Sequence, residues 1–378
     1  MTKKEITNRE LEERYQSGTL RLSQEKNDFL LPQVLEFIDT KKWINLHPEY
    51  QRRLVWDRTK RSLFIESLLM NIPVPPIFLL EWEYSRYEVM DGQQRLSTIA
   101  DFYGNRFRLA GLEKWSELNG RTYTECPPII QRGLDRRRIS AVVLLAESLE
   151  AEDNKKLDVR RMVFERLNTG GQNLNAQELR NSVYMGKFSE LLIKLAGNDV
   201  FDDLWEIPRY SDHIRGTHVS ATLANNALFK RMRDCEIVLR FFAFRKKSNI
   251  RGSVRSILDR TMSENKDIGG AEAEELKEIF VSRIDLCKEI FGDKAFRLKD
   301  EKGKYQLSQP LYDATMIAVD RLFSKKTELV MNRDRIAGAL TAAATHEDNY
   351  ELIVARPNTS DSIRQRLDLV ENVFRDCL

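Results

Sequence analysis

Cysteine is scarce in this chain, and the little there is lies scattered. Four cysteines in 378 residues, Cys126, Cys235, Cys287 and Cys377, form no Cys-x-x-Cys pair. That spacing excludes a zinc ribbon and a disulfide framework and makes a reducing cytoplasm the expected compartment. Histidine is equally rare: His47, His213, His218 and His346 stand apart, and no His-Glu-x-x-His motif occurs. No apolar run approaches the ~20 residues needed to span a bilayer. The opening Met-Thr-Lys-Lys-Glu-Ile lacks the apolar centre of a secretory signal. There is no tandem repeat and no low-complexity tract. What remains, at 42% hydrophobic and 31% charged residues, is the composition of a soluble globular protein, long enough for a sizeable core and for two domains.

The most organised stretch is 86–103. Tyr87 and Val89 alternate with polar neighbours, as in the end of a half-buried strand, whereas Leu96, Ile99, Ala100 and Tyr103 share one helical face. Between them lies Asp91-Gly92-Gln93-Gln94-Arg95, a turn from strand to helix. Asp91 suits the N-cap, and Gln94 could reach back as in a capping box, a device that stabilises by ~1 kcal/mol. Arg95 is not explained by capping. A cation in the first turn opposes the helix dipole by roughly 0.3–1 kcal/mol unless an anion accompanies it. Gly92 permits close approach to the backbone, and Arg95 offers a planar fork for phosphate oxygens. The residues alone leave both readings open, a capped turn and a phosphate cradle.

Elsewhere the chain reads as follows. Residues 1–30 suggest a frayed helix or arm, and Pro32 to Trp43 a first helix. Tyr50-Gln51-Arg52-Arg53 is a polar loop, and Asp57 caps a helix to about Met70. Ile77 to Trp82 pairs with 86–90 as a hairpin, Arg106 to Ala110 reads as a strand, 111–138 as irregular, and Ile139 to Ala146 as a buried strand. Asn175 caps the next helix, with Glu178 at the capping-box position. Helical periods then recur at 188–196, 219–246, 253–264, 271–291, 308–324, 332–345 and 360–376. The fold class expected is α+β, with an N-terminal domain over 1–186 and a mostly helical domain over 187–378.

Charge is unevenly spread. The net charge is only +3, yet between Leu228 and Arg260 ten Lys/Arg face Asp234, Glu236 and Asp259. Lys230, Arg245, Lys246, Lys247, Arg251 and Arg255 are candidate DNA-phosphate contacts; a solvated helix face is the competing reading.

Three stretches stand in order: Tyr50-Gln51-Arg52 with Trp56, then Asp91-Gly92-Gln93-Gln94-Arg95, then Phe164-Glu-Arg-Leu-Asn168-Thr-Gly-Gly171 with Glu178-Leu-Arg180. Together they closely resemble the N-terminal domain family of GmrSD-type modification-dependent restriction enzymes, whose fold is ParB/sulfiredoxin-like. The resemblance implies nucleoside triphosphate binding or hydrolysis in anti-phage defence. By motif position, Asp91, Arg95 and Arg52 would be catalytic, and Gln51, Gly92, Gln93, Gln94, Asn168, Glu178 and Arg180 would bind nucleotide. Mg²⁺ would be the cofactor, with Asp91 its ligand or the group orienting water. Unlike the fused enzymes, the chain has no His-Asn-His arrangement, and Glu275-Leu-Lys277 lies on a helical pattern. The alternatives are a non-catalytic DNA-binding module and a nuclease in its own right. Expected partners are a nucleoside triphosphate, DNA and a separate nuclease or modification-system protein. A homo-oligomer is left open, and no membrane is expected.

Overall fold

The computed structural model describes residues 7–16, 23–46, 56–145, 162–163, 166–167, 175–184, 186–215, 218–299, 304–346, 349, 352–353 and 359–378. The chain packs as two compact units that divide between residues 174 and 175, twelve residues before the expected boundary, so that the helix capped by Asn175 belongs to the second unit. The first unit is α+β and the second is helical, as the sequence patterns indicate.

In the first unit, α1 (Asn8–Gln16) precedes β1 (Ser23–Leu30), and α2 (Leu31–Leu35) continues into a π turn over Glu36–Thr40. The strand β2 (Ile44–Asn45) is short. Asp57 accepts from the Lys60 N–H at 2.8 Å and caps α3 (Arg58–Leu69), and Asn71 leaves the helix with φ 57°. The expected hairpin is present as β3 (Ile77–Glu83) and β4 (Arg86–Asp91), paired antiparallel. Then come α4 (Gln93–Tyr103), α5 (Pro128–Asp135) and β5 (Arg138–Leu145). The five strands order as β1-β5-β3-β4-β2, a mixed sheet in which β5 runs parallel to β3 and β2 parallel to β4. Leu96, Ile99, Ala100 and Tyr103, the face expected of α4, are all buried.

Three expectations are corrected. Ser23–Leu30 is a strand rather than part of an arm; it lies at the margin of the sheet with most side chains exposed on both faces, so it carries no alternation. Pro128–Asp135 is a helix within a stretch read as irregular, opened by a proline at its first position, where the missing N–H has no intrahelical partner to lose. Arg106–Ala110 is not a strand. Arg106 and Arg108 instead bind Asp39, Asp101 and Glu125, while Leu109 bonds locally to Gly120 and Arg121.

Two buried polar devices hold the irregular stretch. Glu66 of α3 is 4% exposed and accepts from the N–H groups of Lys114 (2.7 Å) and Trp115 (2.8 Å). Asp135 accepts from the hydroxyls of Tyr103 (3.1 Å) and Tyr123 (2.7 Å), whose rings stack 4.3 Å apart. Burial, and then the Asp135 carboxylate, push both phenols above their ordinary range.

In the second unit, Asn175 accepts from the N–H groups of Gln177 and Glu178 to open α6 (Ala176–Val183). Glu178 returns the bond to the Asn175 N–H at 2.7 Å, so the capping box is as expected. The main helices that follow are α7 (Lys187–Ala196), α8 (Asp199–Trp205), α9 (Arg233–Arg245), α10 (Val254–Asn265), α11 (Gly270–Phe291), α12 (Gln309–Arg321), α13 (Arg333–Thr345) and α14 (Ser360–Arg375). The period expected over 219–246 is broken into three helices. Asn226 caps a new turn with its side chain, and Met232 takes a left-handed backbone, φ 52°. Met232, Cys235, Leu239 and Phe242 nonetheless form one buried apolar stripe, with Leu228 only partly buried beside it. Inside, Arg240 and Asp313 pair at 6% and 1% exposure. No described helix is long and apolar enough to cross a membrane.

Replacing Glu66 by Ala unmakes two charge-assisted bonds and is expected to lower the unfolding free energy by about 2–3 kcal/mol; a urea denaturation midpoint equal to wild type would contradict this. The tyrosine pair gives a pH dependence. Because both phenols are raised in the folded state, their stabilisation is complete below the unfolded value of about 10 and is lost as pH climbs above it. Tyr103→Phe is expected to flatten that alkaline loss in thermal melts taken across pH 9–12.

Candidate functional site

The strand-to-helix turn is built around a left-handed glycine. Asp91 closes β4 opposite Phe78, Gly92 has φ 98° and ψ 10°, and Gln93 begins α4. The N-cap is therefore Gly92 and not Asp91, which corrects the expected cap, and the N-cap position supplies no side-chain capping bond. A Cβ at position 92 would stand 2.5 Å from Ile77 Cγ2 and 3.1 Å from Arg95 Nη2. Glycine is thus required here for its conformation and for its lack of bulk.

Arg95 lies beside this turn with its side chain 13% exposed. Its Nη2 donates to Asp91 Oδ2 at 2.8 Å and to the Pro76 carbonyl at 3.1 Å. The anion that makes an arginine tolerable in a first helical turn is thus supplied by the chain itself, and the placement does not by itself demand a ligand. Five N–H groups are available to a guanidinium. Both on Nη2 are committed, Nε is buried without a partner, and Nη1 makes no hydrogen bond among the described residues. Asp91 keeps 40% of its side chain exposed.

The two glutamines face away from the helix start. Gln93 Nε2 donates to the Leu46 carbonyl at 2.8 Å, and Gln94 Oε1 accepts from the Trp56 N–H at 3.2 Å. Gln94 therefore does not close a capping box. Leu46 and Trp56 flank residues 47–55, so adjacent glutamines hold the described positions on both sides of that segment. Gln51 and Arg52 lie outside the described residues, and so does Asn168. The carbonyls of Leu46 and Pro76, which fix Gln93 and Arg95, were not foreseen; main-chain acceptors carry no signature in side-chain identity.

Glu178 and Arg180 belong to the second unit, where both are committed to local contacts. Arg180 is 3% exposed and donates to Asp259 (2.8 Å), Glu236 (2.9 Å) and Gln177 (3.1 Å). Glu178 is fully buried, bonded to Asn175 and 3.3 Å from Arg231. The guanidinium and carboxylate proposed for a nucleotide pocket are used here to cap α6 and join it to its neighbours.

The basic stretch 228–260 is also different in space. Arg245 pairs with Asp320 at 2.9 Å, Lys247 with Asp368 at 2.9 Å and Arg255 with Asp259 at 3.9 Å. Arg240 is buried on Asp313. Of the six DNA candidates, Lys230, Lys246 and Arg251 have no ion pair among the described residues. Acids from α12 and α14 thus face three of the ten basic residues, Arg240, Arg245 and Lys247, so part of the excess counted along the chain is offset in space.

Among the described residues no group of three or more His, Cys, Asp or Glu could hold a metal. Asp91 is the single carboxylate of the turn, and it is already the counter-ion of Arg95. That suits a Mg²⁺ carried mainly by substrate phosphates and water, not a site made by the protein alone.

Residues 33–185 match the family model described as GmrSD restriction endonuclease, N-terminal domain. This segment is a domain of that family, which points to a role in a restriction system. No curated protein and no solved structure matches the chain.

Gly92→Ala is expected to destabilise the chain by about 2–4 kcal/mol, combining the left-handed backbone cost with the clash on Ile77. Denaturant unfolding tests it, and an unchanged midpoint would refute the reading of this turn.

Proposed function

We propose that the turn between β4 and α4 binds the phosphates of a nucleoside triphosphate, and that the chain hydrolyses it as part of a restriction or anti-phage system. One observation carries the reading. An eleven-residue helix starts at a left-handed glycine with no side-chain cap, and a guanidinium is fixed beside that start. Backbone N–H groups and the helix dipole there favour an anion. The two unbonded hydrogens of Arg95 Nη1 add a charge-assisted contact. Membership of residues 33–185 in the GmrSD N-terminal family supports the same reading.

In this mechanism the chain's work is electrostatic. Arg95 offsets charge on the transferred phosphoryl group, the first-turn amides position it, and Asp91 holds the guanidinium in one orientation. Mg²⁺ would neutralise phosphate charge when it arrives with the nucleotide, with Asp91 the one carboxylate of the turn able to reach it directly or through water. Gln51 and Arg52 are proposed to join the site by their place in the motif. Cleavage of DNA is assigned to a separate nuclease or modification-system protein acting with this chain.

Phosphate release from ATP, GTP, CTP and UTP, with and without Mg²⁺ and DNA, tests the proposal. Arg95→Ala is expected to lower kcat/KM by about 10²–10³. Asp91→Asn, which loosens the guanidinium but keeps it, is expected to cost about tenfold. Wild-type turnover by folded Arg95→Ala would remove that residue from the mechanism. Absence of both turnover and nucleotide binding in the wild-type chain would end the reading.

A further inference from the structure

The corner between α5 and β5 carries a charge that no described residue of the first unit answers. Arg132 lies in the last turn of α5, Arg136 caps it, and Arg138 opens β5. All three are exposed, and none of their side chains has a hydrogen bond or ion pair among the described residues. The other arginines of this unit whose side chains are described are all engaged. Arg61 holds Asp101, Arg106 holds Asp39, Arg108 holds Glu125, and Arg58 and Arg86 donate to main-chain carbonyls. Among the described residues of this unit, free arginine side chains are therefore confined to one seven-residue corner.

The acids that could neutralise them are turned elsewhere. Asp135, inside the cluster, is held by Tyr103 and Tyr123. Asp28, across from Ser140 on the outer strand, accepts from the Ser140 hydroxyl at 2.6 Å. The carboxyl end of α5 favours a cation at Arg132 and Arg136, which accounts for two charges and leaves the third, at Arg138, adding repulsion. The corner is also rigid. Arg137 donates from its N–H to the Leu134 carbonyl and from Nη2 to the Leu69 carbonyl, and its own carbonyl accepts from Leu31. Beside the arginines, Gly133 has open space where a Cβ would stand, so a backbone can lie close to the helix.

We propose that Arg132, Arg136 and Arg138 form the surface on which this chain takes the phosphate backbone of duplex DNA. Unpaired guanidiniums carried within seven residues on a held backbone suit a row of phosphates, each of which accepts an arginine fork. The helical stretch 228–260, richer in basic residues, contributes less per cation because Arg231, Arg240, Arg245, Lys247 and Arg255, half of its ten, already face carboxylates. The inference stands apart from nucleotide binding at the β4–α4 turn and uses the restriction-family reading only to prefer DNA over other polyanions.

The test uses the full chain and a 30-base-pair duplex, with binding followed by fluorescence anisotropy across a range of salt concentrations. Each phosphate neutralised contributes about 0.9 to the log–log slope, so R132Q/R136Q/R138Q is expected to lose about 2.7 in slope. At low salt it is expected to bind at least tenfold more weakly. K246Q/R251Q, which removes unpaired cations of the second unit, is expected to keep most of the slope. Should the triple variant unfold, R136Q alone, with an expected loss of about 0.9, serves in its place. No DNA binding by the wild type overturns the proposal, as does a triple variant that binds like wild type, or a slope carried by Lys246 and Arg251. Polyglutamate competing as well as duplex DNA would assign the corner to an acidic protein and overturn it too. Triphosphate turnover measured on the same samples separates this outcome from failure of the nucleotide reading.

Discussion

A guanidinium in the first turn of a helix is stable only with an anion next to it, and here the anion is the last residue of the preceding strand. That pairing of Arg95 with Asp91 sets the form of the whole turn. Bringing two side chains four residues apart into contact across a strand–helix junction requires the chain to reverse sharply at position 92. Only glycine does this at φ 98° against Ile77. Once the turn is made, Gln93 and Gln94 are directed at Leu46 and Trp56. Each residue of the five therefore has a folding role. What is left for a ligand is the set of N–H groups on Arg95 Nη1 and along the uncapped first turn.

Much of the first unit was legible because its core elements are periodic. The β3–β4 hairpin, α3 with its Asp57 cap, the inward face of α4 and the buried strand β5 all bury one side and expose another. The elements that escaped have no such contrast. Ser23–Leu30 is exposed on both faces, so its residues do not alternate, and α5 is short, with prolines at its N-cap and first position. In the second unit the long helices were visible, whereas the breaks at Asn226 and Met232 lie inside an unbroken apolar stripe. At the turn, residue identities were readable, but the roles were shared differently. The sequence could not show that Asp91 serves Arg95 in place of the helix cap, because the strand end and the helix start differ there by one residue.

Charge shows the same limit more sharply. Counting along the chain assigns the basic surface to 228–260, but folding brings Asp313, Asp320 and Asp368 from distant helices onto those cations. The shorter run at 132–138 keeps its charge, because its one internal acid, Asp135, is held by the hydroxyls of Tyr103 and Tyr123. A local excess in sequence becomes a field in space only if the fold does not deliver the opposite sign to it.

The margins of the five-stranded sheet are closed to growth by different means. On one side, β1 presents Glu25, Lys26 and Asp28 along the outermost described strand; on the other, β2 offers only two residues. A stray strand docking on the first would set its side chains among charges of both signs, and on the second it would find too little ladder to hold. At these two described margins, strand exchange and fibrillar stacking are disfavoured.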